Sequence, residues 1–223
     1  KNKHEPDLSY IKSAVKDISH VIEKGNMIIL ESTVPVGTTE NIKKWLLKER
    51  PDLNFPANEK DNNIGDINIA HCPERVLPGD VLNELVNNDR IIGGLTAHCS
   101  KRAKNFYQGF IKGNCIVTDC RTAELCKLVE NSYRDVNIAF ANELSLISDK
   151  LDINVWELIK LANRHPRVNI LQPGPGVGGH CIAVDPWFLI DKDSDQSVLI
   201  KTARQRNLYK TDWILEQCKN KIN

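Results

Sequence analysis

Residues 121–151 contain neither glycine nor proline, and no other stretch constrains the fold as strongly. Leu125, Leu128, Val129, Ser132, Val136, Ala139, Phe140, Glu143, Leu144 and Ile147 recur through it at helical spacing. The pattern predicts one helix about 45 Å long at roughly 1.5 Å per residue. A rod of that length divides the chain. Short apolar runs separated by helical periodicity precede it, and mostly helical sequence with one glycine-rich break follows.

Ahead of the rod, Leu8, Ile11, Val15, Ile18 and Ile22 mark an amphipathic helix. Residues 27–32 read as a strand, followed by a loop at 33–39. Thr38 or Thr39 suits the N-cap of a helix over 40–49. Residues 50–63, rich in Pro, Asn and charge, read as a surface excursion. Residues 67–71, 90–94 and 115–118 are further strands, with a helix from Thr96 to about Phe110 between the last two. Strands spaced in this way predict a parallel α/β sheet. Beyond the rod, helices are expected over 154–163, over 184–190 and from Ser197 onward. The expected organisation is an α/β part over 1–119 and a helical part over 120–223.

Composition excludes several classes of function. The 223 residues are 41% hydrophobic and 26% charged, as in an ordinary globular protein. Lys and Arg total 30 against 29 acidic residues, a net charge of +1 with no basic field for nucleic acid or an acidic membrane. No apolar run approaches the ~18 residues of a membrane span. Residues 1–6 carry no apolar signal segment. Seven cysteines, an odd count, point to reduced thiols and a cytoplasmic chain. The polar start and an end that stops within helical sequence suggest a piece of a longer protein. Three His-Cys dipeptides, at 71–72, 98–99 and 180–181, lack the two-to-four-residue spacing typical of zinc ligands, so no metal is expected.

The chemistry concentrates in residues 172–186. Gly174, Gly176, Gly178 and Gly179 remove Cβ atoms, so backbone can approach a ligand closely. Their N–H groups suit phosphate oxygens. The loop delivers Cys181 near a helix start, where the dipole favours an anion. Asp185 follows one helical turn later. A flexible linker with an inert cysteine is the competing reading. Lys127, Asn131 and Arg134 share one face of the long helix, either as a solvated stripe or as polar groups facing a cavity. Glu74, just after a strand in His71-Cys72-Pro73-Glu74-Arg75, is either a base or water-orienting carboxylate or a surface ion-pair residue. Thr33 holds the equivalent place after the first strand, where α/β sheets bind ligands. His165 and Arg167 end a helix. Arg167 could grip a phosphate or carboxylate, or both residues could answer the helix dipole.

These residues together resemble the UDP-glucose/GDP-mannose dehydrogenase family. The landmarks are Ser32 to Thr39, Cys72-Pro73-Glu74-Arg75, Asp89 to Gly94, Ala123 to Lys127 with Asn131, Asn142-Glu143, and Gly178-Gly179-His180-Cys181. Residues 74–79 and 163–176 are similar to the bacterial UDP-N-acetyl-D-mannosamine subgroup. The resemblance implies the C-terminal part of a Rossmann-like NAD-binding domain, then a central helical dimerisation and catalytic domain. It implies that two NAD+ oxidise the C6 alcohol of a UDP-sugar, UDP-N-acetyl-D-mannosamine above all, to a uronic acid through a cysteine thioester. Cys181 matches the nucleophile. Lys127 and Asn131 match the groups that steady oxyanions at C6. Asp185 matches a proton-transfer carboxylate, and Glu74 a group for thioester hydrolysis. Thr33 matches a position near the nicotinamide. Arg75, Val76, Lys127, Asn131, Arg134, His165, Arg167 and Gly178 match substrate contacts. The resemblance also implies a homodimer through the long helix, with His165 and Arg167 reaching the partner's site.

Three departures stand out. No Gly-x-Gly-x-x-Gly precedes Met27, the second, C-terminal α/β domain that the resemblance implies for holding the nucleotide is not found, and Pro78 stands where glucose-type members carry a second glutamate. Without the fingerprint, the expectation is an internal stretch that is inactive alone. The alternatives are a non-catalytic dimerisation module, an acyl-transferring thiol enzyme, or a dehydrogenase for another UDP-sugar such as UDP-N-acetylglucosamine.

Overall fold

The computed structural model describes residues 5–56, 65–76 and 79–222. The expectation at Pro78 and the later part of the 50–63 excursion lie outside these residues. The chain forms two compact units, one from Pro6 to Lys127 and the other from Leu128 onward.

The first unit is built on helix α1 (Ser9–Ser19), strand β1 (Met27–Leu30), helix α2 (Thr38–Glu49), strand β2 (Asn68–His71), helix α3 (Val81–Asn87), strand β3 (Arg90–Gly94), helix α4 (Ala97–Tyr107) and strand β4 (Cys115–Asp119). The sheet order is β1-β2-β3-β4. Alternate residues of the strands face opposite ways, and each face is covered. Leu30, Ile67 and Ile69 pack with Val15, Ile42 and Leu46 from α1 and α2. Ala70 and Ile92 pack with Ala103 and Tyr107 of α4. Complete burial of Leu46 or Ile69 contributes about 2 kcal/mol each.

The sheet departs from a wholly parallel one. β1 pairs with β2 and β3 with β4 in parallel, but β2 and β3 run antiparallel, with Ala70 opposite Gly94. The reason lies in α3, which has no buried residue. A parallel return needs a crossover element packed across the sheet face. Val81, Leu82, Leu85 and Val86 give this short helix an apolar side, but none of them is fully buried, and β3 comes back antiparallel to β2. The excursion after α2 also differs from its reading as surface, since Leu53 and Phe55 join the core.

At α2 the expected threonine cap is replaced by a distant side chain. Gly37 is the N-cap, and Thr38 and Thr39 lie inside the helix. The buried Glu124 carboxylate accepts the N–H of Gly37 at 2.6 Å, the N–H of Thr39 at 2.7 Å and the Thr39 hydroxyl at 2.6 Å. Burial raises the Glu124 pKa, and these donors partly oppose that.

Helix α5 (Cys120–Lys150) is the predicted rod. Its later part enters the second unit with α6 (Val155–Ala162), α7 (Asp185–Lys192) and α8 (Val198–Ile222). Asn154 caps α6, accepting from the Trp156 and Glu157 N–H groups. The buried face of α5 is largely polar: Ser132, Asp135, Asn142, Ser145 and Ser148 alternate with Leu128 and Ala139. α8 meets it with Ala203, Arg204, Asn207 and Lys210. Val129, Tyr133, Phe140 and Ile147 of α5 point outward. No helix among the described residues is long and apolar enough to cross a membrane.

Candidate functional site

In the first unit, β1 and β2 end side by side. The Cys72 N–H donates to the Leu30 carbonyl at 3.0 Å and the Glu74 N–H to the Glu31 carbonyl at 3.2 Å. The loops bearing half-buried Thr33 and Glu74 therefore leave the same carboxyl end of a parallel pair.

Both oxygens of Glu74 are engaged. Oε1 accepts the N–H groups of Arg75 at 2.7 Å and Val76 at 2.8 Å. Oε2 faces the Arg90 guanidinium at 3.2 Å. Arg90 opens β3 almost fully buried, and its guanidinium lies 5.7 Å from the centre of the Tyr107 ring. Glu74 is thus held in one orientation, and with it the backbone of Arg75 and Val76. The sequence reading did not single out Arg90. A lone arginine opening an apolar strand was the available signal.

His71 and Cys72 belong to the core. Burial lowers the His71 pKa to about 4 and raises the Cys72 thiol to about 11. Burial, with Glu31 accepting the Tyr107 hydroxyl at 2.6 Å, also raises the Tyr107 pKa. No group of three His, Cys, Asp or Glu suited to a metal occurs among the described residues.

In the second unit the long loop between α6 and α7 carries the thiol. Cys181 is exposed. Its carbonyl accepts the Val184 N–H at 3.0 Å and the Asp185 N–H at 2.9 Å, so the chain turns straight into α7. Asp185, the first residue of α7, is buried, and its Oδ2 accepts the Asn131 amide of α5 at 2.5 Å. Two expected site residues distant in sequence are thus brought into contact. Lys127 is half-buried on α5 one turn before Asn131, and Arg134 is exposed. His165 and Arg167 are exposed, and His165 Nδ1 accepts the Arg167 N–H at 3.3 Å. A Cβ on exposed Gly178 would meet nothing within 4 Å, which leaves room for a ligand.

Residues 1–111 match the NAD binding domain of the UDP-glucose/GDP-mannose dehydrogenase family, and residues 121–209 match its central domain. The chain is 62% identical to a UDP-N-acetyl-D-mannosamine dehydrogenase of Campylobacter jejuni, across 98% of this chain and 53% of that protein. It is 60% identical to an NDP-N-acetyl-D-galactosaminuronic acid dehydrogenase of Ralstonia solanacearum, across 96% of this chain and 50% of that one. Among solved structures, a UDP-D-ManNAc dehydrogenase from Pyrococcus horikoshii is similar with a TM-score of 0.83 and 42% identity, over 92% of this chain and 47% of the other. The chain spans about half the length of the curated relatives it matches.

Proposed function

This chain belongs to the UDP-glucose/GDP-mannose dehydrogenase family, and we propose that it serves the NAD-dependent oxidation of the C6 alcohol of a UDP-sugar, UDP-N-acetyl-D-mannosamine, to the uronic acid. The observation that carries this reading is the Asn131–Asp185 pair at the foot of the turn bearing Cys181. It joins three residues that the resemblance assigns to one reaction.

The α/β unit fits NAD: the Thr33 and Glu74 loops leave the carboxyl end of a parallel strand pair, where open α/β sheets take such ligands. When bound, NAD+ supplies the hydride acceptor at each oxidation. Cys181, as thiolate, adds to the C6 aldehyde and holds that carbon as a hemithioacetal that retains a C–H bond. After the second oxidation Cys181 carries the sugar as a thioester, which water cleaves to the acid and the free thiol. The Lys127 ammonium and the Asn131 amide steady the oxyanions that form at C6. Asp185, held by Asn131, assists proton transfer. Glu74, with both oxygens engaged, orients water and the substrate loop of Arg75 and Val76. Arg134, His165, Arg167 and Gly178 complete the substrate contacts. Outward apolar residues on α5 support a homodimer through that helix, with His165 and Arg167 serving the partner's site.

The test uses the intact protein with NAD+ and UDP-N-acetyl-D-mannosamine. Two NADH per sugar are expected, and Cys181→Ala is expected to abolish uronate. Unchanged acid yield from that variant removes Cys181 from the mechanism. The chain of residues 1–223 alone is expected to give no turnover. The Ralstonia relative favours a second reading, another UDP-N-acetylhexosamine as substrate, decided by comparing kcat/KM across the epimers.

A further inference from the structure

The loop that carries Cys181 is tied down along its length by side chains that the reaction does not use. Near its start, the Gly174 N–H donates to Asn142 Oδ1 of α5 at 2.9 Å. One residue on, the Pro175 carbonyl accepts the Thr211 hydroxyl of α8 at 2.9 Å. Gly176, at φ +134°, lies so close to α8 that a Cβ would stand 2.2 Å from the Thr211 hydroxyl oxygen and 3.1 Å from the Asn207 carbonyl. Past the thiol, the Ile182 carbonyl accepts Arg204 Nη1 of α8 at 3.4 Å. Between these anchors Gly178, Gly179, His180 and Cys181 stand exposed.

The anchors form one buried network. Asn142 Nδ2 donates to Asn207 Oδ1 at 2.8 Å. Asn207 Nδ2 donates to Asp135 Oδ1 at 2.8 Å. Asp135 Oδ2 lies 3.1 Å from Arg204 Nε, with side-chain exposures of 0% and 1%. That last contact is ionic rather than an aligned hydrogen bond, since neither atom has an aligned partner, and Arg204 Nη2 has none either. The Ile182 carbonyl is an acceptor that this desolvated guanidinium does reach, so losing it leaves Arg204 further short of partners.

We propose that Arg204, held by Asp135 and coupled through Asn207 to Asn142, is a positioning residue that clamps the far side of the Cys181 loop and so sets where the thiol stands. α8 thereby holds the loop of the nucleophile through Arg204 and Thr211. The kinetic consequence rests on the dehydrogenase reading above; the structural consequence does not.

The experiment compares the intact protein with Arg204→Met and Arg204→Lys by two independent readouts. In Arg204→Met, hydrogen exchange at the Val184 and Asp185 amides is expected to quicken about tenfold, with exchange in α6 unchanged. On UDP-N-acetyl-D-mannosamine, kcat is expected to fall about tenfold with KM held within about twofold, because misplacing a reacting group costs turnover rather than binding. Arg204→Lys restores part of both. A folded Arg204→Met protein with parental exchange and parental kcat overturns the proposal. Should that variant fail to fold, Asp135→Leu with Arg204→Met replaces the ion pair by apolar groups and is judged on the same two readouts. A parent without turnover on any UDP-sugar sinks the dehydrogenase reading, while the exchange result still decides the clamp.

Discussion

His71 shows how tertiary surroundings reverse what a residue type suggests. A histidine beside a cysteine is a pair of residue types that often carries chemistry, yet at the end of β2 the imidazole is fully buried and neither ring nitrogen has an aligned partner. Desolvation lowers its pKa from 6.5 to about 4, and the nearby Leu30 backbone offsets only part of that. Between those values an unfolded chain takes up a proton that the folded chain refuses. Stability is therefore full above pH 6.5 and declines as pH falls toward 4, by up to about 3 kcal/mol. Urea unfolding at pH 7 and pH 5 should show the decline. His71→Leu should reduce the slope, since an apolar replacement leaves no acid to titrate; an identical slope in that variant excludes His71. The site residues divide in the same way. Cys181, Asp185, Asn131 and Glu74 could be singled out as candidates because the family resemblance assigns roles to residues of their type at these positions. Arg90 and Arg204 could not, because an isolated arginine looks the same in sequence whether it is solvated or holds a loop.

At the scale of elements, periodicity located the long helix to within a residue at each end: 121–151 expected, Cys120–Lys150 observed. Its length and the absence of breakers leave little else for it to be. How α2 begins was not legible, because its cap is Glu124, 85 residues from Thr39. Three donors converge on that carboxylate. Glu124→Ala strands two backbone N–H groups and a hydroxyl, and should cost about 3 kcal/mol in chemical denaturation. A loss below about 1 kcal/mol would mean that water replaces the carboxylate. The antiparallel β2–β3 pair was equally hidden. Strand direction depends on whether the connecting element lies packed across the sheet, and no residue of α3 is fully buried.

Across the whole molecule, the inverted face of α5 is the feature with the widest consequence. Its buried stripe is polar and bonded to α8, while Val129, Tyr133, Phe140 and Ile147 look outward, with Tyr133 71% and Phe140 53% exposed. Such a stripe is covered most simply by its own copy across a two-fold axis. For the homodimer proposed above, the parent is expected to sediment as a dimer and Phe140→Glu, which touches none of the internal network, as a monomer with unchanged helix content. A variant that stays dimeric places the interface elsewhere. By itself the sequence determined the long helix, the four strand positions, the family and the candidate site residues, since each rests on local propensity or on motifs within a few residues, while the short α3 went unread. Only the tertiary structure decided the sheet direction, the carboxylate that caps α2, the polar interior beneath α5 and the hydrogen bonds that tie Gly174, Pro175 and Ile182 to α5 and α8. Those are contacts between residues tens of positions apart, and their free energy depends on desolvation and alignment that no local pattern encodes.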